Sequence, residues 1–99
     1  ITFMSLNKNK KINKIRKKLD ILDNKLLIII KNRTNLVRKV LKYKTNKKQI
    51  VDKKRIKIIL KNIKMKSSKK NIDTKLTRDI WSNMIKAYIS FEYRNFKKK

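Results

Sequence analysis

Apolar residues recur along the first half of the chain at Ile12, Ile15, Leu19, Leu22, Leu26, Ile29, Leu36, Val40 and Tyr43, mostly in alternating steps of three and four. That spacing keeps one side of an α-helix apolar and forms the seam along which long helices pack. It predicts one helix sustained through Tyr43, roughly 48 Å long at about 1.5 Å per residue. Residues 45–49 are polar and read as a loop. Asp52 then stands where a helix N-cap belongs, ahead of Ile56, Ile59, Leu60 and Ile63. This predicts a second, shorter helix ending near Lys66. Residues 67–71 are a second polar loop. Asp73 or Thr74 can cap a third helix, with Leu76, Ile80, Trp81, Met84, Ile85, Tyr88 and Ile89 on its apolar face.

The expected fold class is all-α, with one long helix and two shorter ones. Residues 1–9 read as a flexible lead-in, residues 10–96 as a single helical domain, and residues 97–99 as a disordered tail. Gly and Pro are both absent. Folds that need Gly at tight turns or phosphate loops therefore lose weight, while long helices need neither residue. Two short helices cannot cover a seam of this length, and a second copy of the chain would cover the rest, which predicts a homodimer. The alternative is a monomeric three-helix bundle in which the first helix breaks between Asn32 and Asn35.

Charge adds a second possibility. The chain carries 32 Lys and Arg against 6 Asp and Glu, a formal net charge of +26. Such an excess points first to a basic helical nucleic-acid-binding protein. The excess is mostly Lys, however, and Asn and Ile are abundant while Ala occurs only at Ala87. These residues follow AT-rich codons, so base composition accounts for the charge without a polyanion, and nucleic acid is not the expected partner. The field still draws small anions toward the protein.

With no Cys and no His, the chain has no disulfide, no thiolate metal site and no imidazole base. The longest apolar run, residues 26–30, is far too short to span a membrane. Residues 1–9 lack the apolar core of a secretory signal. The expectation is a cytoplasmic protein with no membrane partner. The sequence begins at Ile1, so either Met4 is the natural start or the chain is a fragment.

One seam position is not apolar. Between Ile29 and Leu36 the repeat falls on Arg33. A charge at a packed position is costly unless paired, and this chain has few acids to pair with it. A ligand bearing carboxylates would serve. Lys44, eleven residues later, falls about 20° from Arg33 on a helix continued that far, whereas Arg16 lies on another face and suits a pocket in a partner chain. Arg55 follows Asp52 at a helix start, where a cation is disfavoured unless an anion is near. Tyr88 and Glu92, one turn apart, face the same way, and Glu92 is the only Glu in the chain. Each residue alone also has a plain structural reading: a salt bridge, a cap or a solvated lysine.

Residues 15–44, IRKKLDILDNKLLIIIKNRTNLVRKVLKYK, resemble the first helix of the all-helical, AroQ-type chorismate mutases. Arg16, Asp23, Arg33 and Lys44 match that pattern in type and spacing. Asp52 and Arg55 follow at a suitable distance, and residues 80–92, IWSNMIKAYISFE, resemble the closing helix. The resemblance runs from about residue 12 to residue 93. It implies an intertwined helical homodimer that converts chorismate to prephenate in aromatic amino-acid biosynthesis, without a cofactor. Arg33 and Arg55 would hold the substrate carboxylates, and Arg16 would reach in from the partner chain. Lys44 would contact the ether oxygen and a carboxylate, and Asp52 would contribute backbone contacts near the ring hydroxyl. Tyr88 stands where a small hydroxyl residue is frequent. Glu92 stands where Gln is common, and to donate to the ether oxygen it must be protonated. The chain departs from the pattern at Ile56, where the family usually carries a Glu that binds the ring hydroxyl. An isochorismate pyruvate lyase on the same fold, or a degenerate mutase kept for dimerisation or regulation, would share the cationic clamp.

Overall fold

The computed structural model describes the backbone of residues 3–97 and the side chains of residues 6–97. Ile1 and Thr2, at the start of the expected lead-in, and Lys98 and Lys99, in the expected tail, lie outside the described residues. Three helices follow in order: α1 (Phe3–Lys42), α2 (Lys53–Lys69) and α3 (Thr74–Asn95), with a 3-10 turn at Lys47–Gln49 between the first two. The expected all-α class and its one-long, two-short arrangement are what the chain adopts. No helix among the described residues is long and apolar enough to cross a membrane.

α1 begins well before the domain boundary drawn at residue 10, because nothing between Phe3 and Ile12 breaks a helix. It also runs unbroken through Asn32 and Asn35. Asn is a weak helix former rather than a breaker, and Thr34 satisfies its hydroxyl inside the helix by donating to the Ile30 carbonyl at 2.7 Å. The broken first helix of the monomeric alternative is therefore not formed. At the other end α1 stops at Lys42, with Lys39 and Lys42 in its last turn, where cations complement the helix dipole. Tyr43, expected as the last seam residue, lies in the turn beyond and is 86% exposed. Lys44 is likewise off the helix. Helical periodicity therefore does not carry from Arg33 to Lys44.

The chain divides into two units, Ile1–Val37 and Arg38–Lys99. The first is a segment of single helix, and its apolar seam is open: Ile15, Leu19, Leu22, Leu26 and Ile29 are all more than half exposed. In the second unit α2 and α3 pack on each other as a helical hairpin. Asp52 caps α2 by accepting from the Arg55 amide at 3.0 Å, and Asp73 caps α3 by accepting from the Lys75 and Leu76 amides at 2.8 and 3.1 Å. α2 runs a turn further than expected, to Lys69, because its exit is built as a paired cap. The Ile72 amide donates to the Ser67 carbonyl at 2.9 Å and the Asn71 amide to the Ser68 carbonyl at 3.1 Å. Asn71 takes the left-handed conformation this requires, at φ 57°, which Asn tolerates in a chain without Gly.

The hairpin buries little. Ile56, Ile59, Leu60 and Ile63 of α2 and Trp81, Met84, Ile85, Tyr88 and Ile89 of α3 are half-buried, while Leu76 and Ile80 are exposed against expectation. Ser67 and Thr77 are buried between the helices and share a hydrogen bond of 2.7 Å. Among the described apolar residues only Leu41 and Ile50 are buried.

Candidate functional site

The second unit holds one buried ion pair. After α1 ends, the chain turns through Lys44 into a short polar connection. Gln49 shapes that connection: its side-chain oxygen accepts from the Thr45 amide at 2.6 Å and the Asn46 amide at 3.2 Å. The Asn46 side chain in turn accepts from the Lys48 amide at 3.0 Å. This reciprocal capping fixes the backbone on both sides of Lys47. It leaves the Lys44 side chain pointing inward, where its Nζ lies 2.9 Å from Glu92 Oε1 and donates to it. The two side chains are only 17% and 10% exposed. The same Nζ approaches the carbonyl of buried Ile50 at 3.5 Å.

Two features of the pair matter for chemistry. Lys44 offers three N–H donors, and two protein acceptors hold it in place, so it is an oriented cation rather than a solvated one. Its contact at Ile50 also ties it to the segment that enters α2 two residues later. There Asp52 accepts only from the Arg55 amide, and the first turn of α2 contains no acid but Lys53, Lys54 and Arg55. A helix N-terminus of this composition attracts anions.

On α3, Tyr88 is half-buried one turn before Glu92 and meets the Phe91 ring edge-on, with centroids 6.2 Å apart. The Arg38 guanidinium lies over the Phe91 ring, 5.2 Å from its centroid. No buried side-chain polar atom among the described residues lacks a hydrogen-bond partner. No cluster of His, Cys, Asp or Glu among them could hold a metal ion.

Of the residues singled out from the sequence, the structure brings Lys44 and Glu92 into direct contact. It joins Asp52 and Arg55 through the cap, and it sets Tyr88 on the same helix as Glu92. Arg55 and Asp52 are exposed. Arg16 and Arg33 belong to the first unit, where Arg16 is exposed and Arg33 half-buried. Arg33 is thus better shielded than Ile29 and Leu36 beside it, at 59% and 60% exposed. Glu92, whose plainest sequence reading was a surface partner for a lysine, has a lysine partner but is buried. Two contributors were not picked out from the sequence. Ile50 has a signal in hindsight, as a lone apolar residue closing a polar loop. Arg38 has none, since its contact depends on where Phe91 falls in the fold.

A family model described as chorismate mutase type II matches residues 15–93 of the chain. No curated protein and no solved structure matches it.

Proposed function

The chain belongs to the chorismate mutase type II family, and from that premise we propose that Arg33, Lys44, Asp52, Arg55, Tyr88 and Glu92 form its substrate site, completed by Arg16 of a second copy. The activity is that of an isomerase: chorismate rearranges to prephenate by an intramolecular Claisen reaction. One C–O bond breaks as one C–C bond forms, within a single molecule. The reaction needs no nucleophile, base or cofactor, so the protein has two tasks. It must hold a flexible dianion in the compact conformer, and it must stabilise the charge that gathers on the ether oxygen.

The observation that carries the assignment of residues is the buried Lys44–Glu92 pair, 2.9 Å apart beside the entrance to α2. A cation held in place before substrate arrives needs no reorganisation as the ether bond lengthens, and preorganised charge of this kind is where most electrostatic catalysis comes from. Arg33 and Arg55 take the two carboxylates, and the α2 N-terminus adds backbone dipoles. Ile56 offers no polar atom to the ring hydroxyl, so recognition there falls to the backbone near Asp52. The open seam of α1 supports the dimer. A stripe of half-exposed Leu and Ile, on a chain with only two buried apolar residues among those described, is the surface a second copy would cover. It is the same repeat that predicted a packed seam.

The direct test is to incubate the purified protein with chorismate and identify the product. Prephenate is expected; pyruvate with salicylate from isochorismate would instead assign the lyase. A second measurement concerns Glu92. In the free protein its Oε1 accepts from Lys44. Glu92→Gln keeps an acceptor oxygen for Lys44 and adds amide N–H donors, so it should turn over chorismate at least as fast as the parent. Glu92→Leu, which has no polar atom to offer, should lose about 10²-fold or more. A Glu92→Leu protein as active as the parent would remove Glu92 from the donor role.

A further inference from the structure

Between α2 and α3 lies a cleft of about 500 Å³ that none of the residues proposed for the substrate site line. Lys57, Lys61 and Lys64 border it from α2, Lys75 and Arg78 border it from the start of α3, and half-buried Leu60 and Thr74 complete its lining. On α2 the three lysines fall within about 60° of one another and roughly 180–240° away from Arg55. The cleft therefore opens on a different face of α2 from the one that carries the substrate arginine.

Its charge is unbalanced. α2 contains no acidic residue, so no Glu or Asp a turn away neutralises its lysines. Lys75 has a partner in Asp79 at 3.4 Å, on an exposed i,i+4 contact that is weak. Lys75 and Arg78 also sit in the opening turns of α3, whose first turn has no acid and whose positive end disfavours cations. A codon bias toward lysine would scatter cations around a helix. It does not explain why five of them, from two helices, converge on one concavity.

We propose that this cleft is a second anion site, built for a small ligand carrying two or three phosphates. A volume of about 500 Å³ is that of a small-molecule pocket, within the usual range of roughly 300–1,000 Å³. Lys57 to Lys64 spans only about 10 Å along α2, the reach of a short phosphate chain rather than of a nucleic-acid track. Each phosphate group brings about −1.5 to −2 charges, so two or three match five cations, whereas a dicarboxylate leaves most of them unanswered. Leu60 gives the ligand one apolar contact, which suits a phosphorylated organic molecule better than a bare ion.

The site is tested with sodium tripolyphosphate as probe, titrated calorimetrically into the 99-residue chain at physiological ionic strength. One equivalent per chain is expected, with affinity falling from tripolyphosphate to pyrophosphate to orthophosphate. The double variant Lys61→Gln/Arg78→Gln should bind at least about tenfold more weakly, since each loss removes a charge-assisted hydrogen bond. Lys8→Gln/Lys10→Gln, the same charge change on α1, should bind as the parent does. Chorismate turnover without added phosphate should be unchanged in the Lys61/Arg78 variant, which separates this site from the first whether or not the first is assigned correctly. Circular dichroism checks that the helices persist; if the double variant unfolds, Lys61→Gln and Lys64→Gln singly should each weaken binding. Equal losses in the α1 control would mean diffuse attraction to net charge and would overturn the proposal. So would a ten-nucleotide single-stranded DNA that displaces tripolyphosphate and loses affinity with the same substitutions, which would make the cleft a nucleic-acid surface.

Discussion

Lys44→Ala should reduce chorismate turnover by about a thousandfold or more, the largest loss expected of any single substitution. Deleting one preorganised donor to a developing oxyanion costs on the order of 10²–10³ in turnover, and in the proposed site Lys44 also anchors a carboxylate. The substitution has a second effect that must be kept apart from the first. Glu92 is 7% exposed and its Oε1 is held by Lys44. Removing the cation leaves a buried carboxylate without its partner, which typically destabilises a protein by about 3–5 kcal/mol. A bare loss of activity could therefore come from unfolding. The companion variant Lys44→Met/Glu92→Gln removes both charges and should recover most of the stability, because replacing a buried pair by neutral groups of similar size is often close to neutral. Its turnover should stay low. Thermal unfolding followed beside prephenate formation reads the two effects separately. A Lys44→Met/Glu92→Gln protein that is stable and as active as the parent would show that the pair serves the fold and not the reaction.

That pair also marks the limit of what could be read from the sequence. The helices were legible because the apolar repeat is clean and the caps at Asp52 and Asp73 are chemically specific. Cap positions depend on residues a few places apart, so a local pattern suffices. Tyr43 is apolar enough to continue the repeat, and only the turn beyond Lys42 ends α1 one residue before it. Helical spacing therefore does not link Arg33 to Lys44. Spacing and resemblance single out candidate residue types, but not the contacts those residues make. Lys44 and Glu92 are 48 positions apart, and nothing local to either one indicates that the pair is buried. Arg38 over Phe91 is the same case. Leu76 and Ile80 fail in the opposite direction: they match the helical period, yet a hairpin this small has nothing to cover them.

Arg16→Ala and Arg33→Ala should each be nearly inactive alone, and mixing the two should restore about a quarter of the parent activity per chain. The number follows from symmetry. In the proposed dimer each site takes Arg33 from one chain and Arg16 from the other. A mixed dimer then has one site with both substitutions and one site with neither. Random exchange makes about half of all dimers mixed, and half of their sites are intact. Each single variant loses a charge-assisted contact to a substrate carboxylate, which is among the stronger hydrogen bonds a protein makes. Exposure agrees with the different roles. Arg16 is exposed in the single chain and so is free to reach elsewhere, whereas Arg33 is already half-buried within its own. Subunit exchange requires the seam to open, so the mixture should be denatured and refolded together, and its turnover compared with that of the two variants refolded apart. Recovery only in the co-refolded sample supports a site shared between chains. If no activity returns although the variants form mixed dimers, Arg16 and Arg33 act within one chain and the shared site is wrong. The open seam predicts the same dependence from another direction. Leu26→Lys, placed where residues of two copies would meet, should lower the association state and with it the turnover, since a site that borrows Arg16 cannot work in a lone chain.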